Sequence, residues 1–161
     1  MEFRRIEKSD SAGIIEVLNY YINNTFNAYP ESEVSTEMFD NLWEVIKDYP
    51  NVCCVDEGHI VGYATLRPFR GEMPCFARAA EITYFILPDY TGQKLGEKML
   101  DIIIEQAKNT KIKVLLAHIS SLNKGSVRFH EKHGFEKCGH FKRVIEKKGA
   151  IFDMIWMQKE I

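Results

Sequence analysis

The sequence predicts an α/β protein: a single domain with a mixed central sheet of about seven strands flanked by about four helices. Three observations lead there. The hydrophobic period alternates between helical and strand spacing along the chain, in the order β-α-α-β-β-β-α-β-α-β-β. The 161 residues are 45% hydrophobic, which is enough for a sizeable core at single-domain length. No internal repeat, low-complexity tract or Pro/Gly/Ser-rich linker divides the chain.

The elements follow in order. Glu2–Glu7 reads as a short strand. Ser9 can cap a first helix whose stripe is Ile14, Ile15, Leu18, Tyr21 and Ile22. A polar, Asn-rich stretch runs from Asn23 to Glu33. A second helix opens at Ser35, with Val34 and Phe39 spaced as a hydrophobic staple. Its stripe is Met38, Leu42, Val45, Ile46 and Tyr49, and Pro50 ends it. Val52–Asp56, a turn at Glu57-Gly58, and His59–Arg67 form a hairpin. After an irregular loop from Pro68 to Ala77, Ala79–Leu87 is rich in β-branched and aromatic residues and reads as a central strand closed by Pro88. Asp89–Gly96 leads into a helix reaching about Lys108, with Leu95, Met99, Ile102, Ile103 and Ala107 inward. Val114–Ile119 is a short apolar strand, and Ser126–His133 is a short helix ended by Gly134 as a left-handed cap. Phe135–Arg143 and Ile151–Gln158 make the last pair of strands.

Composition excludes several function classes. Lys and Arg number 21 against 23 Asp and Glu, a net charge of −2, which argues against nucleic-acid binding through a basic field. No apolar run approaches the ~20 residues of a membrane span. The start, Met1-Glu2-Phe3-Arg4-Arg5, lacks the apolar core of a signal peptide, so a cytoplasmic location is expected. Cys53, Cys54, Cys75 and Cys138 show no C-x-x-C spacing and read as reduced, buried thiols, with Cys53 and Cys54 on opposite faces of a strand.

The segment around Gly92 and Gly96 joins a strand to a helix start. Free first-turn N–H groups and close backbone approach could seat a diphosphate there, with Lys94 as a nearby cation. A plain strand-to-helix connection is the alternative. Neither G-x-x-x-x-G-K-[ST] nor G-x-G-x-x-G is present.

Two stretches carry a resemblance. Glu81-Ile82-Thr83-Tyr84-Phe85-Ile86-Leu87-Pro88-Asp89-Tyr90-Thr91-Gly92-Gln93-Lys94-Leu95-Gly96 resembles the acyl-CoA signature of the GNAT superfamily of N-acetyltransferases. Asn123-Lys124-Gly125-Ser126-Val127-Arg128-Phe129-His130-Glu131-Lys132-His133-Gly134-Phe135 resembles its second motif. Within that superfamily the run Ser126–Glu131, the position of Glu81 and the early Asn19-Tyr20-Tyr21-Ile22 resemble the phosphinothricin and methionine sulfoximine acetyltransferase branch. The superfamily loop is usually Gln/Arg-x-x-Gly-x-Gly/Ala. Here Thr91 replaces the Gln or Arg, Lys94 replaces the first glycine, and Gly96 matches.

The resemblance implies transfer of an acetyl group from acetyl-CoA to the primary amine of a small amino acid or its analogue. It implies Glu81 as general base and His130 as a second acid or base. On an alternating strand Glu81 shares a face with Thr83 and Phe85, and apolar surroundings would raise its proton affinity; a structural ion pair with Arg67 or Arg78 is the alternative. His130 has an ordinary pKa that suits either direction of proton transfer, unless it is merely a surface histidine. His130 and His133 are three apart, not the four of a zinc protease helix, so no metal is expected.

By resemblance, the main chain of Phe85, Ile86 and Leu87 would meet the pantetheine arm. Gly92, Gln93, Lys94, Leu95, Gly96 and Glu97 would hold the pyrophosphate. Asn123 and Ser126 would lie near the acyl end, Asn123 having helix capping as its other role. Arg70, which follows the aromatic Phe69, could clamp a substrate carboxylate, with Phe26, Tyr29 and Phe76 lining the pocket. The branch also implies a homodimer, and exposed aromatics near Phe26–Tyr29 would permit an interface. A protein or peptide Nα-acetyltransferase and a non-catalytic acyl-CoA sensor are the competing readings; a sensor would need neither Glu81 nor His130.

Overall fold

The computed structural model describes residues 1–161. Seven strands and four helices occur in the expected order: β1 (Glu2–Arg4), α1 (Ser11–Asn24), α2 (Thr36–Ile46), β2 (Asn51–Asp56), β3 (His59–Pro68), β4 (Ala79–Ile86), α3 (Leu95–Ala107), β5 (Val114–Ser120), α4 (Lys124–Lys132), β6 (Glu136–Lys147) and β7 (Ala150–Glu160). The sheet order is β1-β2-β3-β4-β5-β7-β6. All neighbours are antiparallel except the central pair β4–β5, which is parallel and is crossed over by α3.

Two apolar layers cover the sheet. On one face, Leu95, Met99, Leu100, Ile103 and Ala107 of α3 pack on Val52, Cys54, Ala64, Leu66, Ala80, Ile82 and Leu115. On the other, Ile14, Ile15 and Val17 of α1 and Phe39 and Ile46 of α2 pack on Cys53 and Tyr63. The adjacent Cys53 and Cys54 therefore enter opposite layers, as strand alternation requires.

Several local expectations are corrected. The first strand stops at Arg4, because Asp10 folds back to take two charge-assisted bonds of 2.8 Å from the Arg4 guanidinium. Asp10, not Ser9, is the residue before α1, and Ser9 lies in a 3-10 turn. Val17 joins the buried stripe of α1, while Leu18 is only half-buried. Helix α2 ends at Ile46, ahead of Pro50, and Val45 is exposed. Helix α4 begins at Lys124. The last two strands run longer than expected, meet at a Lys148-Gly149 turn and carry two register shifts in β6. All four cysteines are free, but only Cys53 and Cys54 are buried; Cys75 and Cys138 are exposed. No helix is long and apolar enough to cross a membrane.

The feature that makes a site is the short pairing of β4 with β5. Only Ala79–Glu81 pair with Val114–Leu116. Beyond that, β4 stays with β3 as far as Ile86, and β5 stays with β7 as far as Ser120. Each strand follows its own antiparallel partner, and the two diverge into a wedge at the centre of the sheet.

Candidate active site

The wedge opens into a cavity of about 640 Å³ lined by Ile82–Ile86 of β4, Ala117–Ser120 of β5, Tyr90–Gly92 and Lys94–Glu97 at the start of α3, Asn123, and Ser126, Phe129 and His130 of α4; Gln93 is not in its lining. Its walls carry unpaired strand backbone. The Leu87 N–H donates to the Val61 carbonyl, 2.8 Å away on the β3 side. By antiparallel alternation the backbone groups of Glu81, Thr83 and Phe85 also face β3, while the Ile82 carbonyl and the backbone of Tyr84 and Ile86 face the wedge; the Ile82 N–H belongs to the last rung with Leu116 of β5. Of the three residues expected to offer main chain to a pantetheine arm, Ile86 alone turns it that way. Its carbonyl accepts a bond from the Tyr21 hydroxyl.

At the wide end lies the start of α3. The six consecutive N–H groups from Gly92 to Glu97 donate to no acceptor in the protein; the first to do so is that of Lys98, to the Lys94 carbonyl at 3.1 Å. A run of aligned donors at a helix start is an anion seat. The turn is made by two residues in the left-handed region, Gly92 at φ 78° and Lys94 at φ 61°. Lys94 thus adopts the backbone that a glycine would adopt at that place, and keeps the loop's shape at a steric cost of about 1–2 kcal/mol. Gly96 leaves room at the helix mouth, with Phe129 and Ile86 as its nearest neighbours.

On the α4 side, His130 is buried at 3% exposure, so it is no surface histidine. Its Nδ1 lies 2.7 Å from the Ser126 carbonyl, which can only accept, so Nδ1 carries the proton. Nε2 therefore accepts from the Tyr84 hydroxyl at 2.6 Å. Burial pushes His130 down to about 4, and burial holds the Tyr84 hydroxyl well above the usual tyrosine range. Both shifts favour the neutral forms, and the Tyr84 O–H points at His130 Nε2, so the pair forms one closed hydrogen-bonded unit at the cavity wall. Asn123 caps α4, its Oδ1 accepting from the Ser126 N–H at 3.1 Å, and still lines the cavity. His133 is bonded to the Phe129 carbonyl and lies 3.9 Å from Glu97, so the two helix histidines serve separate partners.

The opposite side of the wedge holds Glu81. It is not an isolated carboxylate among apolar groups. Cross-strand Arg67 reaches its Oε2 through Nε at 3.0 Å and Nη2 at 2.5 Å. This is the ion pair that the sequence left open as an alternative. Beside it stands His118, whose Nε2 is 3.7 Å from the same Oε2 and 3.4 Å from Arg67 Nη2. His118 Nδ1 is 3.4 Å from the Tyr29 hydroxyl. Burial lowers the proton affinity of His118; the Glu81 charge opposes that shift and Arg67 adds to it. His118 was missed in the sequence. The available signal was one imidazole inside the otherwise apolar run Val114–Ile119, two residues beyond the Leu116 that pairs with Glu81.

A row of aromatic rings extends from His118. Ring centroids run from Phe76 to Phe69 at 5.6 Å, to Trp156 at 6.2 Å, to His118 at 5.3 Å and to Tyr29 at 5.6 Å. Of this row only His118 lines the cavity; Tyr29 is not in its lining, and Phe76 borders a separate small hollow with Pro68 and Met73. Phe26 instead packs on Phe152, at 5.6 Å. Arg70 is exposed, at φ 56°, with its guanidinium 5.9 Å from the Phe76 ring centroid, outside the cavity. The cation at the Glu81 end is Arg67. Phe26 and Tyr29 are half-buried, so neither is an exposed aromatic; exposed apolar residues include Tyr20, Phe141, Val144 and Ile151.

Known proteins share this architecture. The family model described as an acetyltransferase (GNAT) domain matches residues 3–156. The chain is 27% identical to an L-amino acid N-acyltransferase, MnaT, of Escherichia coli, over 100% of this chain and 94% of that protein. It is 30% identical to an L-methionine sulfoximine/L-methionine sulfone acetyltransferase of Pseudomonas aeruginosa, over 93% of this chain and 88% of that one. A solved structure of yncA, a putative acetyltransferase from Salmonella typhimurium with its cofactor acetyl-CoA, superposes with a TM-score of 0.91 at 28% identity, covering 99% of this chain and 93% of that one.

Proposed function

The chain belongs to the GNAT acetyltransferase family, and from that premise we propose that it transfers an acetyl group from acetyl-CoA to the primary amine of a small amino acid or amino acid analogue of the methionine sulfoximine or phosphinothricin kind. The observation that carries this reading is the run of six unpartnered amides, Gly92–Glu97, opening onto a wedge lined by His118, behind which Glu81 stands 3.7 Å from the imidazole. The relatives named for amino acid and sulfoximine acylation, matched over nearly the whole chain, support the substrate class.

The residues divide the work. Amides Gly92–Glu97 hold the pyrophosphate, with the Lys94 ammonium on the same loop, and the wedge-facing backbone of Ile82, Tyr84 and Ile86 pairs with the pantetheine arm. Asn123 and Ser126 border its inner end. The Tyr84 hydroxyl gives its proton to His130 Nε2 and so presents only its oxygen, an acceptor, at the inner end. Glu81 is the base that receives the amine's proton, and amine attack requires that proton to leave first. The Arg67–Glu81 pair offers one cation and one anion to a molecule that itself carries an ammonium and a carboxylate. Beyond His118 the row of Trp156, Phe69 and Phe76 backs this end without lining it.

The test is acetyl-CoA-dependent thiol release against a panel of amino acids, their sulfoximine, sulfone and phosphinate analogues, polyamines and short peptides. Turnover is expected on the α-amino acids, and Glu81→Gln is expected to lower it at least ~10-fold with acetyl-CoA affinity nearly intact. Tight CoA binding with no turnover on any amine would refute the enzyme reading in favour of a sensor.

A further inference from the structure

We propose that His118 takes the proton from the amine substrate and passes it to Glu81, making it a catalytic residue of this chain. The inference rests on the acetyl-transfer reading above and assigns one more group to it.

Position is the first argument. His118 lines the cavity and Glu81 does not; the carboxylate sits behind the imidazole and the Arg67 guanidinium, with its side chain 13% exposed. A nucleophile approaching from the cavity meets His118 before Glu81. Availability is the second. Two N–H groups of Arg67 occupy Oε2 of Glu81, the oxygen nearest the imidazole. The imidazole Nε2 keeps a lone pair engaged only by a long 3.4 Å approach of Arg67 Nη2. Arg67 can only donate, so its approach at 3.4 Å marks His118 Nε2 as the unprotonated nitrogen, and the Nδ1–H points to the Tyr29 oxygen. Stabilisation of the product is the third. An imidazolium at this place lies 3.7 Å from Glu81 Oε2. The charged and titratable groups facing His118 are Glu81 from β4, Arg67 from β3 and Tyr29 from the segment between α1 and α2; Trp156 of β7 packs on it without charge. Burial keeps the imidazole neutral before the substrate arrives.

The step balances as follows. The substrate ammonium gives one proton to His118 Nε2. The freed nitrogen lone pair forms the C–N bond with the thioester carbonyl carbon. As the C–S bond breaks, a second proton from that nitrogen ends on sulfur, and CoA leaves as the thiol. The imidazolium returns its proton through Glu81 to solvent, so one proton is released per acetyl group transferred and nothing is oxidised or reduced.

The experiment uses His118→Ala, with and without added imidazole. We expect kcat to fall about 100-fold, acetyl-CoA affinity to stay within about twofold, and added imidazoles to restore the rate, following their pKa values, because the truncated side chain leaves a site for them. A His118→Ala enzyme with wild-type kcat overturns the proposal, and so does a loss that no imidazole restores. Should the alanine variant fail to fold, His118→Gln keeps a polar side chain in the wall. Its expected signature is a lowered kcat and loss of the acid limb of the kcat/KM profile, and a wild-type rate and limb would overturn the proposal. Failure of the underlying reading is distinct: a wild-type chain that acetylates no amine refutes acetyl transfer itself. An active wild type with Glu81→Gln impaired and His118→Ala at full rate refutes the role of His118 alone.

Discussion

The buried His130 makes the stability of this fold depend on pH in a way that one substitution removes. Its imidazole is enclosed by Tyr84, Phe129 and Phe135 and bonded to the Tyr84 hydroxyl and the Ser126 carbonyl. Burial moves its pKa from 6.5 in the unfolded chain down to about 4. Between those values the unfolded state binds a proton that the native state does not, so stability falls as pH is lowered from about 6.5 to about 4, and levels off below. The gap of about 2.5 pKa units corresponds to about 3 kcal/mol. His130→Gln cannot titrate, yet its amide oxygen can still accept from Tyr84. Urea unfolding at pH 4 and pH 7 is the assay. The wild type is expected to lose about 3 kcal/mol more than the variant over that interval. Asp10, held low by its bond with Arg4, and His118, lowered by burial, also titrate on acidification, but they are common to both proteins and cancel in the difference. Identical pH slopes for the two proteins would refute the account of His130 as a buried, neutral acceptor.

Two further outcomes follow from backbone and burial. Lys94→Gly should relieve the left-handed strain at φ 61°, less the greater chain entropy of glycine, for a net gain of about 0.5–1 kcal/mol and a Tm rise of about 2 °C. Lys94→Ala retains the strain, so calorimetry showing glycine no better than alanine would contradict this. Lys147, fully buried, donates to the carbonyls of Ile22 at 2.7 Å, Thr25 at 2.8 Å and Ala28 at 2.7 Å, and burial lowers its pKa. Lys147→Met should cost about 3 kcal/mol in chemical denaturation. It should also raise KM for the amine more than for acetyl-CoA, because the segment it ties down delivers Tyr29 to His118; equal changes in both constants would argue against that link.

Much of the fold was legible because its elements declare themselves locally. The apolar run at Val114–Ile119, the stripe Leu95–Met99–Ile103–Ala107 and the turn at Glu57-Gly58 each fix an element without reference to the rest of the chain. The wedge was not legible in that way. How far β4 pairs with β5 depends on the partners each keeps, β3 and β7, and no pattern within either strand records it. Glu81 could be singled out, and its pairing with Arg67 appeared as one of two alternatives. His118 could not be weighed, because its meaning comes from four separate elements meeting around it. Lys147 resembles any solvated lysine in a charged turn; the carbonyls that bury it lie 119 to 125 residues earlier. The backbone of Lys94 is a further case, since a lysine at a glycine position signals a departure but not which way the chain turns there.

The central claim is that an acyl-CoA lies in the wedge with its pyrophosphate on the amides of Gly92–Glu97, and backbone amide NMR during titration with acetyl-CoA tests it most directly. The N–H signals of those six residues, together with those of Tyr84 and Ile86, should shift on saturation and become protected from solvent exchange. Saturation with acetyl-CoA that leaves the Gly92–Glu97 signals unmoved, or that shifts a different surface instead, would contradict it.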